Sequence, residues 1–141
     1  MPGRTIAELS TGDRASFTKT LSESDVYGFA GITGDFNPVH INRVAAAASP
    51  FGDRVVHGML TASLLSTAIG TYLPGEGSIY LSQSLRFLKP VFIGDTITAT
   101  VEVAELVAGK NRVRLATRCT NQKDEVVAEG ESWVMPPRPA Q

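Results

Sequence analysis

An α+β fold, with a curled antiparallel sheet of about five strands around one long buried helix, is predicted by three observations. The run from Gly58 to Gly70 is apolar on nearly every face (Met59, Leu60, Ala62, Leu64, Leu65, Ala68, Ile69), which a helix tolerates only when other structure surrounds it. Four later segments, 78–88, 95–106, 112–120 and 125–135, alternate apolar and polar residues with the period of half-buried strands. Turn formers, Ala-Gly-Lys-Asn at 108–111 and Asn-Gln-Lys-Asp at 121–124, separate the last three, so these strands are predicted to pair as antiparallel hairpins.

In chain order, a first strand is expected near Ala15–Leu21. Ser22 followed by Asp25 resembles a capping box with Asp in place of Glu, and opens a short helix through Val26, Phe29 and Ala30 that Gly31 and Gly34 end. The segment INRVAAAASPFGDR holds one Ala-rich helical turn before Ser49-Pro50 and Gly52 break it. Trp133, within the last strand-like run, reads as core. The tail PPRPAQ, residues 136–141, lacks apolar anchors and is expected to fray.

Composition narrows the function classes. The 141 residues suit one domain, near the usual prior of about 150 residues. Thirteen Lys and Arg against fourteen Asp and Glu give a net charge of −1 with no clustering of either sign, which argues against nucleic acid or an anionic membrane as the main partner. Cys119 is the only cysteine, so no internal disulfide forms and the Cys/His spacings of metal sites are absent. A reducing cytoplasm fits best. The N-terminal stretch MPGRTIAELSTGDRAS lacks the apolar core of a secretory signal. The most apolar run, 55–70, is shorter than the roughly 20 residues needed to span a bilayer and is interrupted by His57, Ser and Thr.

The stretch GDFNPVH at 34–40 places an acid and an imidazole on either side of an Asn-Pro turn. Taken as spacing alone, it reads as a turn, with Asp35 capping a backbone N–H and His40 half buried against a carbonyl. It also reads as a site. Pro38 fixes its own φ and drives Asn37 toward extended conformations, so the bend is stiff enough to aim Asp35 and His40 at one point. A carboxylate and an imidazole that converge can grip one water, one group taking a proton while the other gives one.

The stretch YGFAGITGDFNPVHINRVAA resembles the signature of the MaoC-like, or hydratase 2, family of R-specific enoyl-CoA hydratases. The family pattern is met by Phe29, Thr33, Gly34, Asp35, Asn37, Pro38, Val39 and His40. The blocks VVHGMLTASLLS at 55–66 and GSIYLSQSLRFLKPVFIGD at 77–95 agree in order and distance, so the likeness runs from residue 22 to 135. It is greatest to the short hydratases that feed polyhydroxyalkanoate synthesis. The segment AAAASPFGDRVV before His57 is less like the family, which bears on substrate entry and chain length.

The resemblance implies a single hotdog domain over residues 1–141, a homodimer, an acyl-CoA substrate, and neither metal nor redox cofactor. It implies Asp35 and His40 as catalytic residues adding water to a trans-2-enoyl-CoA. An enolate oxygen must also be stabilised, and the implied donor is the backbone N–H of Gly58. This glycine is expected at a helix N-terminus, where N–H groups lack internal partners and the missing Cβ lets a thioester oxygen approach. Gly58 as a mere loop-to-helix turn is compatible with that role.

Ala62, Ser66 and Ile69 share a helical face by spacing. Ser66 reads first as bonding back to the Ala62 carbonyl, whereas the resemblance makes Ser66 and Ile69 lining of the acyl pocket. Asn37 reads as ordering the loop or touching substrate, and His57 as packing or bonding locally. Arg54, Arg86, Lys89 and Lys110 are cations without a spacing that selects any of them as a CoA ligand. The rival activities are a 3-hydroxyacyl-thioester dehydratase on CoA or carrier-protein substrates, a hotdog thioesterase, and a non-enzymatic acyl-CoA sensor.

Overall fold

The computed structural model describes residues 2–141. Among them, six strands form one antiparallel sheet: β1 (Arg14–Thr20), β2 (Ile79–Gln83), β3 (Arg86–Phe87), β4 (Thr96–Val107), β5 (Arg112–Thr120) and β6 (Val126–Met135). Their order is β1-β4-β5-β6-β2, with β3 also on β6. The alternation read from the sequence is the alternation of burial. Ile97, Ala99, Val101 and Val103 of β4 face inward, opposite Val113, Leu115 and Cys119 of β5.

The sixth strand comes from the segment 78–88, read as one strand but broken into β2 and β3. The break has a steric cause. Ser84 passes so close over β6 that a Cβ at residue 130 would stand 1.8 Å from the Ser84 carbonyl oxygen, so only Gly130 fits there. Trp133 is a second departure from expectation. Ser132 and Val134 take the buried positions of β6, and period-two alternation turns Trp133 to the other face, where it is only half buried.

Four helices lie on the inner side or at its edge: α1 (Glu23–Thr33), α2 (Pro38–Ile41), α3 (Arg43–Ala47) and α4 (Gly58–Thr67). The capping box at α1 forms with Asp in the glutamate's place, Ser22 Oγ accepting from Asp25 N–H at 3.1 Å and Asp25 Oδ2 from Ser22 N–H at 2.9 Å. Gly31 stays inside the helix; Gly34, at φ 83°, closes it. The central helix α4 packs on β1, β4, β5 and β6 and runs on through a π-helical turn, Ala68–Tyr72. Leu65 and Ile69, with Leu73 just beyond the turn, are large fully buried side chains here, each worth about 1.5–3 kcal/mol in apolar burial.

The helix is not enclosed on every side. Met59, Ser63, Ser66 and Gly70, spaced as one helical stripe, are exposed. The sheet therefore cups α4 and leaves one face open. The C-terminal tail is held at its start, since Pro136 is buried and its carbonyl accepts from Asn111 Nδ2 at 2.9 Å. Arg138–Gln141 are exposed. No helix among the described residues is long and apolar enough to cross a membrane.

Candidate active site

The bend after α1 is built from local hydrogen bonds. Asn37 N–H donates to Asp35 Oδ1 at 3.2 Å, and Asn37 Oδ1 accepts from Val39 N–H at 3.3 Å as the cap of α2, with Pro38 at its first position. Asn42 caps α3 in the same way through Ala45 N–H at 3.0 Å. With Oδ1 on Val39 N–H and its own N–H on Asp35 Oδ1, Asn37 orders the loop.

Elements distant in sequence then fix the direction of the side chains. His40 Nδ1 stands 2.7 Å from the Val55 carbonyl, and because a carbonyl only accepts, that nitrogen carries the proton. The ring therefore turns its other nitrogen, Nε2, toward the loop. This atom lies 3.9 Å from Asp35 Oδ2. The gap exceeds a direct hydrogen bond, but one oxygen can touch both atoms at about 2.8 Å. His40 is largely enclosed, while the Asp35 side chain is about half exposed, at 52%. A substrate approaching from solvent meets the pair from its open side.

Segment 54–57 brings the third part. The Val55–Phe92 bridge and the bond from Val56 N–H to the Val91 carbonyl at 2.7 Å pin it beside the sheet. His57, 3% exposed, then starts α4. Its Nε2 is 3.0 Å from the Asp35 carbonyl, its ring stacks on His40 with centroids 3.8 Å apart, and Phe29 meets it edge-on at 4.9 Å. The N–H groups of Gly58 and Met59, the first two of α4, have no acceptor among the described residues. They form a positive helix end that directly follows the residue whose ring stacks on His40. A Cβ at residue 58 would stand 2.8 Å from the half-exposed Phe87 ring, which would have to move to admit it.

Arg54 holds the outer wall. Its Nη1 donates to Glu23 Oε1 at 2.7 Å and to the Tyr27 hydroxyl at 2.6 Å, and Tyr27 donates to the Ile41 carbonyl at 3.2 Å. The guanidinium keeps the Glu23 carboxyl below its ordinary range. Arg54 is thus buried and engaged in holding α1 to the site segment. Lys89 pairs with Glu125, while Arg86 and Lys110 make no ion pair among the described residues.

The structure brings Asp35, His40 and Gly58 together through His57, and it separates Ser66 from Ile69. Ser66 lies on the open stripe and makes no bond to the Ala62 carbonyl, whereas Ile69 is 2% exposed within the core. Sequence reasoning gave His57 only a local packing or bonding role and Arg54 none beyond that of an unselected cation, and it passed over Phe87. A count would have flagged the first, since the chain has only two histidines and both are here.

Asp35, His40 and His57 are also the one group of three possible metal ligands among the described residues, with donor atoms within 4.8 Å of one another. The geometry does not favour an ion. His40 Nε2 and Asp35 Oδ2 are wider apart than the roughly 3.4 Å between donors on a tetrahedral zinc, and His57 has its Nε2 on the Asp35 carbonyl and its Nδ1 buried. Cys119 offers no alternative nucleophile, because burial pushes its thiol up to about 12.

Comparison with known proteins identifies the family. An (R)-specific enoyl-CoA hydratase of Rhodospirillum rubrum is 50% identical over 130 residues, covering 92% of this chain and 90% of its own. A 3-hydroxybutyryl-CoA dehydratase of Methylorubrum extorquens is 49% identical over 131 residues, 93% of this chain and 83% of its own. The unliganded R-hydratase PhaJ1 of Pseudomonas aeruginosa shares the fold at a TM-score of 0.92 and 45% identity, over 97% of this chain and 88% of that one. The fold is the hotdog, with six strands instead of about five. The MaoC like domain profile matches residues 7–128, and the chain belongs to that family of hydro-lyases.

Proposed function

We propose that the protein is an R-specific enoyl-CoA hydratase, reversibly adding water to a trans-2-enoyl-CoA to give a (3R)-3-hydroxyacyl-CoA. The observation that carries this is the 3.9 Å gap between His40 Nε2 and Asp35 Oδ2, next to the free N–H end of α4. A water held by both groups lies over C3 of the substrate. The pair holds one proton between its two members: the unprotonated member takes the water's proton as oxygen bonds to C3, the protonated member gives its proton to C2 on the same side, and a proton shift across the gap restores the pair. Base and acid are roles of the coupled pair. Meanwhile the thioester oxygen takes up charge against Gly58 N–H, a donor of a kind worth about 10²–10³ in rate.

The net change is the addition of H₂O, which transfers no electrons and so calls for no redox cofactor. The same residues serve dehydration by microscopic reversibility, in keeping with the names of both relatives. Ser66 on the open stripe is the proposed wall for the acyl chain, whereas Ile69 belongs to the core. The protein is a homodimer in this reading. The open stripe of α4 and the sheet edge β2, with Ile79, Tyr80 and Leu81 exposed, present apolar surface and unpaired backbone that a second copy covers. Its setting is the cytoplasm, where CoA thioesters are available.

Incubation with crotonyl-CoA and longer enoyl-CoAs tests the proposal. Loss of the enone absorbance with an R-hydroxy product and no free thiol is expected. Asp35→Asn and His40→Gln should each lower kcat by about 10²-fold or more with little change in melting temperature. Thiol release identifies a thioesterase instead, and substantial activity in both variants overturns the site.

A further inference from the structure

We propose that His57 is a positioning residue that clamps the carboxylate loop, the His40 ring and the start of α4 into one rigid unit; the inference rests on the hydratase reading above. Seventeen positions separate His40 from His57, and the chain between them includes the exposed stretch Pro50–Asp53. Covalent connection alone therefore cannot hold Gly58 in register with Asp35 and His40. His57 makes the connection through space.

Each contact restrains a different freedom. The 3.0 Å bond to the Asp35 carbonyl requires a proton on Nε2, and it fixes the backbone from which the Asp35 carboxylate swings. The stack on His40, 3.8 Å between centroids and 24° between planes, blocks rotation of a ring whose edge is already tied to Val55. Phe29 backs His57 at 4.9 Å and 60°. The adjoining residue is Gly58, so the same side chain sets where the helix end lies relative to the pair.

His57 bears a cost that a core filler would not. With Nε2–H committed, Nδ1 is a bare acceptor, and it is buried without a partner. A phenyl ring would fill the same space without that orphan atom. The retained imidazole makes sense when the Nε2–H bond is what the position supplies. The two histidines are thereby held in opposite tautomers, His40 protonated on Nδ1 and His57 on Nε2.

Three variants separate the functions of the ring. His57→Phe keeps a stackable ring and removes the donor, His57→Gln keeps a donor of similar reach and removes the ring, and His57→Ala removes both. Since misplacement of reacting groups by about 1 Å can cost 10²-fold, kcat should fall about 10- to 100-fold in His57→Phe, with KM within about threefold of wild type and Gln partly rescuing the loss seen in Ala. A core-filling role predicts a Phe variant with unchanged kcat and equal or higher melting temperature, and that result would overturn the proposal.

A second measurement needs no turnover. With only two histidines in the chain, imidazole ¹⁵N spectra of the wild-type protein resolve both rings. Opposite tautomers are expected; His57 protonated on Nδ1 with Nε2 bare would remove the bond and sink the clamp. If wild type leaves enoyl-CoA unchanged, the hydratase reading fails by itself, while the spectra still decide whether His57 holds the loop.

Discussion

The hairpins β4, β5 and β6 and the site segment from Gly34 to His57 are held together by different forces. In the hairpins, side chains alternate in and out, neighbours pair over long registers, and apolar burial supplies the stability. The site segment has helices of only four and five residues, and Phe36, Asn37, Val44 and Phe51 are exposed. Its order comes from single directed contacts: caps from Asn37 and Asn42, the Val55 carbonyl on His40, and Arg54 on Glu23. Burial tolerates small adjustments of geometry, whereas a directed bond is either made or lost. A hydration site needs the second kind, because the water must be held to a fraction of an ångström.

Truncating the hairpin core should have the largest effect on stability. Leu115→Ala removes a fully buried side chain of β5 and is expected to lower unfolding free energy by about 2–5 kcal/mol in urea titrations, with turnover per folded molecule close to wild type. If kcat fell as steeply as stability, the two regions would not be separable.

Gly58→Ala sharpens the contrast from the other side. The added methyl must displace the half-exposed Phe87 ring and crowds the N–H, so kcat/KM should drop by about 10- to 10³-fold while the melting curve moves little. Adding Phe87→Ala relieves the packing conflict but should not restore full activity if crowding at the N–H is the cause.

The smallest effect is expected at the outer wall. Because Arg54 keeps the Glu23 carboxyl below its ordinary value of 4.5, the pair's contribution to stability is complete above that value and is lost as pH falls through the lowered one. The difference in melting temperature between wild type and Glu23→Gln should therefore be modest at neutral pH and vanish on acidification. A difference that persisted well below the carboxylate range would mean that Glu23 acts by packing.

The sequence by itself determined the sheet and its central helix, because period-two and all-round apolar patterns are local records of which faces are buried. It also suggested the pairing of Asp35 with His40, through a proline-stiffened bend and the family likeness, although spacing alone read first as a turn. Tertiary structure alone decided what lies across from that bend. The break between β2 and β3 depends on Gly130 meeting Ser84, forty-six positions away, and the outward turn of Trp133 depends on register. The stacking of His57 on His40, the bond to the Asp35 carbonyl, the seat of Phe87 on Gly58 and the open stripe of α4 are contacts between segments that share no local pattern. They exist only once burial of the core has brought those segments within reach, which is why spacing could suggest two catalytic groups but not the ring that holds them in place.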